Sequence, residues 1–411
     1  MARTHPERVD AAPAQGTSGG PPTWWVWPAA WPVTAVFVLS NAATPLYVLW
    51  QRDIGFSKGT LTVIFAFYIV GLLGSLLISG VLSDRVGRRP VLLPALALAM
   101  AACVIFATAS TVAALVVARL FTGIAVGAVV SAGMAAVTDV AGPHRKRLAA
   151  LLASTAMVFG AGLGPFLAGV LSETLPAPTV TVFIVEAALL ATAFLTVLRM
   201  PLRRPAAPAP GARAWIRVPG VPRGDGVRLM LGVAVFGPGI TATSFVLSLG
   251  PSLLGGLLHT TDRALAGAMA FGMFLAATGV QFAVRSLRRP TILLLGAVST
   301  TAAMAALVTA VHTSSVPPLI AAAVLAGMGQ GAGQLGGLSL LNSSVPPQRL
   351  AEANAALNVG GYVPAGVLPV AAGYLSDAIG LTAGATLFGA VLAALATAGG
   401  LTVLAGRRRI R

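Results

Sequence analysis

Gly80-Val-Leu-Ser-Asp84-Arg85-Val-Gly87-Arg88-Arg89-Pro90 is a polar stretch between two apolar runs, 60–82 and 91–109, neither of which carries a charged residue. Each run is near the length a helix needs to cross about 30 Å of hydrocarbon, roughly 20 residues. Inside lipid only helices and closed barrels satisfy the backbone, and a barrel strand alternates apolar with polar residues. These runs are continuous, so the pattern predicts two membrane-spanning helices joined by a short basic turn.

The rest of the chain repeats this design. Charged residues make up 9% of the 411 residues and hydrophobic ones 56%, whereas a soluble domain carries about 25% charged residues. Twelve spans are expected, near 29–50, 60–82, 91–109, 112–137, 148–171, 179–198, 228–250, 264–284, 290–311, 316–341, 353–375 and 381–405. An even count puts both termini on one side. All but four of the 27 basic residues then fall on the same side as the termini, including Arg85, Arg88 and Arg89, the run 145–147, seven arginines from 199 to 228, and Arg285, Arg288 and Arg289. The other side holds Arg52, Lys58 and Arg263, and Arg119 lies inside a span. Such a bias marks the cytoplasmic face of an inner (plasma) membrane. It also accounts for the net charge of +16 without nucleic acid as a partner; the bilayer is the partner.

Residues 1–28 are expected to form a disordered cytoplasmic tail: the start is rich in Pro, Gly, Ala and Ser and has no apolar core of a signal peptide. Trp24, Trp25, Trp27 and Trp31 suit the membrane interface. Cys103, the single cysteine, reads as a buried small residue. The Pro-, Gly- and Arg-rich segment 199–227 divides six spans from six and reads as a mobile cytoplasmic linker. The domains expected are therefore bundles 29–198 and 228–405, with a basic cytoplasmic tail at 406–411.

The two halves match in sequence. Arg85, Arg88, Arg89 and Pro90 recur as Arg285, Arg288, Arg289 and Pro290. Further on, Gly123 and Gly127 match Gly327 and Gly331, Arg145 matches Arg349, Pro165 matches Pro369, and Gly-Val-Leu-Ser-Glu at 169–173 matches Gly-Tyr-Leu-Ser-Asp at 373–377. Matching loops lie on one side, so the halves share an orientation and are related by an axis along the membrane normal.

The opening stretch, with Gly80, Asp84, Arg85, Gly87, Arg88 and Arg89, resembles the signature between spans 2 and 3 of the major facilitator superfamily. The resemblance covers most of 29–405. It implies an all-α membrane fold of two pseudo-symmetric six-helix bundles around a central cavity, working by alternating access as a monomer. It also implies that Asp84, Arg85 and Arg88 form a latch with Asp139 at the end of span 4; Val284 replaces the acid in the second half, so the latch is one-sided. Arg119-Leu-Phe-Thr-Gly123 is similar to the family's span 4 motif, though Thr122 and Ala125 depart from it. Gly160, Gly164, Pro165 and Gly169 resemble a helix-bend motif of proton-coupled drug exporters, with Ala168 in place of one glycine.

An intramembrane arginine is a functional candidate by default, although Arg119 near the outer interface would simply snorkel. Glu186 is the carboxylate deepest in an apolar run and the first proton-coupling candidate beside Arg119; a neutral, hydrogen-bonded Glu186 is the alternative. By resemblance spans 1, 4, 7 and 10 line the cavity, which makes Asn41, Gln330 and Gln334 the substrate candidates. Gly237-Pro238-Gly239 is expected to loosen span 7. Gly327-Met-Gly-Gln-Gly331-Ala-Gly333 follows no strand and is no nucleotide loop, so no cofactor beyond a proton gradient is expected, and the four histidines show no metal-ligand spacing. The expectation is a non-enzymatic, proton-coupled exporter of small amphipathic molecules. An importer of a neutral solute is the near alternative, and a polytopic membrane enzyme or a sensor the distant ones.

Overall fold

The computed structural model describes residues 23–202, 218–256, 262–346 and 348–406. Residues 1–22 of the expected tail, most of the linker 199–227 and residues 407–411 lie outside the described residues.

Among the described residues, twelve helices are long and apolar enough to cross a membrane. They are α1 (Val26–Ile54), α2 (Lys58–Val86), α3 (Arg89–Ala107), α4 (Val112–Ala141), α5 (Leu148–Thr174), α6 (Pro178–Arg199), α7 (Gly226–Gly256), α8 (Arg263–Val284), α9 (Arg289–Thr313), α10 (Val316–Asn342), α11 (Leu350–Ile379) and α12 (Leu381–Ala405). α1 begins at Val26, earlier than the expected 29. Pro28 falls in its first turn, where a missing N–H breaks no helical bond. α1 is interrupted by a 3₁₀ turn at Thr44–Leu46, which carries Pro45, and α4 by a π-turn at Val129–Gly133.

Helices α1–α6 pack on one another, as do α7–α12, and two seams join the bundles: α5 against α8, and α2 against α11. The end with the arginine-rich turns 85–89, 145–147 and 285–289 is called the basic end; the end with Lys58 and Arg263 is the far end. At the basic end the last residues of the linker rest on the second bundle. Gly220 donates its N–H to the Glu352 carbonyl at 3.3 Å. The Arg228 guanidinium, 2.7 Å from Asp225, and the Ser344 hydroxyl hold the Asp225 carboxyl below the usual carboxylate range.

With lipid outside, helices gain little from hydrophobic burial against each other, and close backbone approach has to supply the packing. Gly123 and Gly127 of α4 lie against the backbone of α2 at Tyr68 and Leu72. Their repeat partners Gly327 and Gly331 of α10 lie against the backbone of α8 at Met273 and Ala277. The sequence repeat is thus a repeat of contacts.

Gly237-Pro238-Gly239 makes no break in the helix. α7 runs unbroken through Pro238. Gly239 lets the α10 backbone at Gly329 and Gln330 come close, and Gly399 of α12 lies against the Ala234 carbonyl, the group that Pro238 leaves without a helical donor. Neighbouring helices thus pack closely on the segment.

Candidate functional site

A cavity of about 650 Å³ lies between the bundles. It is walled by α1, α2, α4 and α5 on one side and by α7, α8, α10 and α11 on the other, so α2, α5, α8 and α11 join the four spans expected from resemblance. Most of the wall is apolar, with Phe65, Leu72, Phe274 and Leu338. Polar groups are dispersed through it: Asn41, Gln330 and Gln334, joined by Gln281, Asn358 and Tyr362. Asn41 Nδ2 donates to Ser40 Oγ at 3.0 Å, while the buried Gln330 Oε1 has no protein partner. The rim is formed by Ala150, Leu151, Phe282 and Arg285 at the basic end.

The far end is closed by two contacts that are copies of each other. Glu173, at the end of α5, accepts from the backbone N–H of Arg263, the first residue of α8, and from its Nε, both at 2.9 Å. Asp377, at the end of α11, accepts from the backbone N–H groups of Lys58 and Gly59, which open α2, at 3.0 and 2.8 Å. Each carboxylate therefore joins the N-terminus of the second helix of the opposite bundle, beside its own N-cap, Ser57 or Asp262, where first-turn N–H groups and the helix dipole both favour a negative charge. Gly169 lies against Arg263 and Ala264, and Gly373 against Lys58 and Gly59, which brings the helix ends together. The sequence showed 169–173 and 373–377 as a repeat, but what they cap is tertiary.

At the basic end Arg88 lies 2.6 Å from Asp84 and 3.0 Å from Asp139, and it also donates to Ser83 Oγ at 2.7 Å. Arg89 Nη2 donates to the Met200 carbonyl at 2.7 Å. Gly87 closes α2 with φ of +98°, a conformation that favours glycine, and Gly80 is buried within α2. The structure thus brings Asp84, Arg88 and Asp139 together, all within the first bundle.

Arg119 is fully buried, which removes the snorkelling alternative. Its Nε donates to the Tyr47 hydroxyl and its Nη1 to the Ser40 carbonyl at 2.7 Å. The rings of Tyr47, Phe65, Tyr68 and Phe106 surround it, with centroids 5.0 to 6.0 Å away. This aromatic box escaped the sequence reading, because aromatic residues inside apolar runs carry no distinguishing pattern. Glu186 is also buried, with Oε2 unpartnered, and it does not line the cavity. Phe106, one of the rings around Arg119, stacks on Phe183 at 4.8 Å, one turn before Glu186. In α5, Gly160 and Gly164 lie against α1 at Thr34 and Val38, while the Pro165 carbonyl meets Gly267 of α8. α5 stays continuous through Pro165.

Known proteins share this architecture. A crystal structure of the nucleoside transporter NupG (D323A mutant) superposes with a TM-score of 0.70 at 12% identity, over 93% of this chain and 99% of that one. A POT family transporter in complex with a thioalcohol-conjugated peptide gives 0.74 at 14% identity, over 94% and 96%. An inward-facing, unoccupied bacterial homologue of the human lysosomal transporter Spinster gives 0.68 at 14%, over 94% and 98%. Among curated proteins, the multidrug resistance protein MdtL of Escherichia coli O6:K15:H31 (strain 536 / UPEC) is 28% identical over 183 residues, 43% of this chain and 46% of that protein. The matched region thus spans less than half the length of that relative. The family model described as Major Facilitator Superfamily matches residues 30–313, and with the twelve-helix fold and its central cavity this chain belongs to the major facilitator superfamily of membrane transporters.

Proposed function

We propose that this transporter exports small amphipathic compounds from a bacterial cytoplasm in exchange for protons. The observation that carries this reading is the cavity: mostly apolar, dotted with amides, lined as far as Ala150, Leu151 and Arg285 at the basic end, while hydrogen bonds tie the bundles together at the far end. The charge bias puts the basic end, and with it both termini, in the cytoplasm of the inner membrane. The cavity would then collect its cargo from inside. The partial likeness to a multidrug resistance protein supports the same direction. Topology is checked by cysteine labelling: residue 145 should react only from the cytoplasm and residue 262 only from outside, and external labelling at 145 would overturn the orientation.

Export requires the far caps to release and the basic end to close. In this reading Arg88 holds Asp84 ready in the first bundle while the cavity is open inward, and on closure Asp84 meets the second bundle. Gly80, Arg85, Gly87 and Arg89 shape that turn. Asp84→Asn should leave insertion intact, because the residue is exposed, yet cut transport by about tenfold or more. Undiminished transport would leave the motif a topology signal alone.

Energy comes from proton entry, about 2.3 kcal/mol per elementary charge per 100 mV. Arginine stays charged at any usable pH, so Glu186 is the first candidate to carry the proton, with Arg119 tuning the same bundle and Asp139 the second choice. The test uses everted vesicles with a pH-sensitive dye and a panel of amphipathic compounds. Parent protein should give compound-dependent proton release, and Glu186→Gln should abolish it while binding persists. Proton movement equal to the parent's would make Glu186 structural, and the absence of any compound-dependent signal from the parent would remove the proton-coupled export reading.

A further inference from the structure

The charge balance of the cavity bears on what it carries. Among the described residues, no Asp or Glu lines it. The one charged side chain in the wall is Arg285, at the rim. Directly behind the wall stands Arg119, whose neighbours Ser40, Phe65 and Tyr68 are themselves lining residues.

Arg119 meets a phenol, a carbonyl and four ring faces, but no carboxylate. Its Nη2 is buried and makes no hydrogen bond. A full charge removed from water and left without a counter-ion is costly, and its field reaches further than it would in bulk water because the surroundings are poorly polarisable. The ring faces offset part of the charge, yet they leave the wall positive. Glu186 is buried with its Oε2 unpartnered, and no ion pair joins it to Arg119 among the described residues.

We propose that the cavity selects small amphipathic organic anions, the apolar body on the phenylalanine and leucine wall and the anionic group against the first bundle near Ser40, Asn41 and Tyr68. This deepens the transporter reading given above by naming the substrate class. An entering carboxylate gains a positive field and a hydrogen-bond donor in the Tyr68 hydroxyl on the wall. An ammonium of the same body meets the same field with the wrong sign and finds no carboxylate to pair with. Arg285 at the rim adds attraction during entry, and this contribution weakens with salt.

The test is a charge series on one body: 1-naphthylacetate, 1-naphthylacetamide and 1-naphthylethylammonium, titrated calorimetrically into the purified full chain in lipid nanodiscs. The carboxylate should bind at least about tenfold more tightly than the amide, and the ammonium more weakly than the amide. Arg119→Gln should shrink the carboxylate–amide gap to about threefold or less. If that variant does not fold, Arg285→Gln, at an exposed rim position, should reduce the salt dependence of carboxylate binding while keeping the order of the three. An ammonium that binds as well as the carboxylate overturns the proposal. A flat series does the same, whether all three bind alike or none binds. Binding in nanodiscs depends neither on transport direction nor on proton coupling, so failure of the export reading in vesicles and failure of this one are separate results.

Discussion

Glu173→Ala combined with Asp377→Ala should open the far end of the cavity. The expected readout is faster labelling, by an external membrane-impermeant maleimide, of a cysteine placed at Thr243 on the cavity wall, in a chain whose buried Cys103 is replaced by serine. Each carboxylate accepts N–H groups in the first turn of a helix in the opposite bundle, beside that helix's own N-cap, Ser57 or Asp262, and such a hydrogen bond contributes a net of about 0.5–1.5 kcal/mol. The Glu173 side chain is 37% exposed, so solvent screening keeps its share near the lower end. Two such losses total about 2 kcal/mol, and each 1.4 kcal/mol is a factor of ten in the opening equilibrium. Labelling should rise tenfold or more in the double variant and several-fold in each single one. Unchanged labelling in a monodisperse double variant would mean that backbone packing alone closes this end.

Gly331→Leu should be more damaging still, at the level of folding. A Cβ at Gly331 runs into the Ala277 carbonyl of α8, and the obstacle is backbone, which cannot rotate away. Overpacking a close seam costs about 1–3 kcal/mol and sometimes more, and here both α10 and α8 would have to move. The expected result is loss of most monodisperse protein after extraction. Gly279→Leu is the control: that glycine lies on α8 with nothing within 4 Å of its Cβ position, so the same side chain should be tolerated there and even favoured by helix propensity, about 1 kcal/mol over glycine. Equal behaviour of the two variants would refute a packing role for the repeated glycines.

The contrast between those two glycines shows what the chain discloses without its structure. The span count, the basic end and the repeat were legible because length in hydrocarbon and the placement of arginine are one-dimensional quantities. Asn41, Gln330 and Gln334 stood out because an amide inside an apolar run is conspicuous, and all three line the cavity. Which glycine faces a helix and which faces lipid was not legible, since spans apolar on every side give no face to read. The box around Arg119 needed Tyr47, set beyond the break at Pro45, to fold back beside Tyr68 of the next helix. Gly237-Pro238-Gly239 looked like a flexible joint because its local composition is that of one, but contacts with α10 and α12 decide its shape. The linker residues 203–217 lie outside the described residues.

The cap on α2 constrains the chain unevenly. Asp377 takes hold of main-chain N–H groups at positions 58 and 59, with the Ser57 hydroxyl beside them. Any residue but proline at 58 keeps the main-chain bond, although the Lys58 charge also favours the carboxylate, whereas position 59 must stay small because Tyr374 and Gly373 press against it. The accepting side has far less freedom, since only a short side chain reaches both N–H groups. Drift on the outer surface should accumulate on the helix that is capped and spare the residue that caps it. An engineer who wants a tag or a fluorophore beside the gate has a natural attachment point in the ammonium of Lys58.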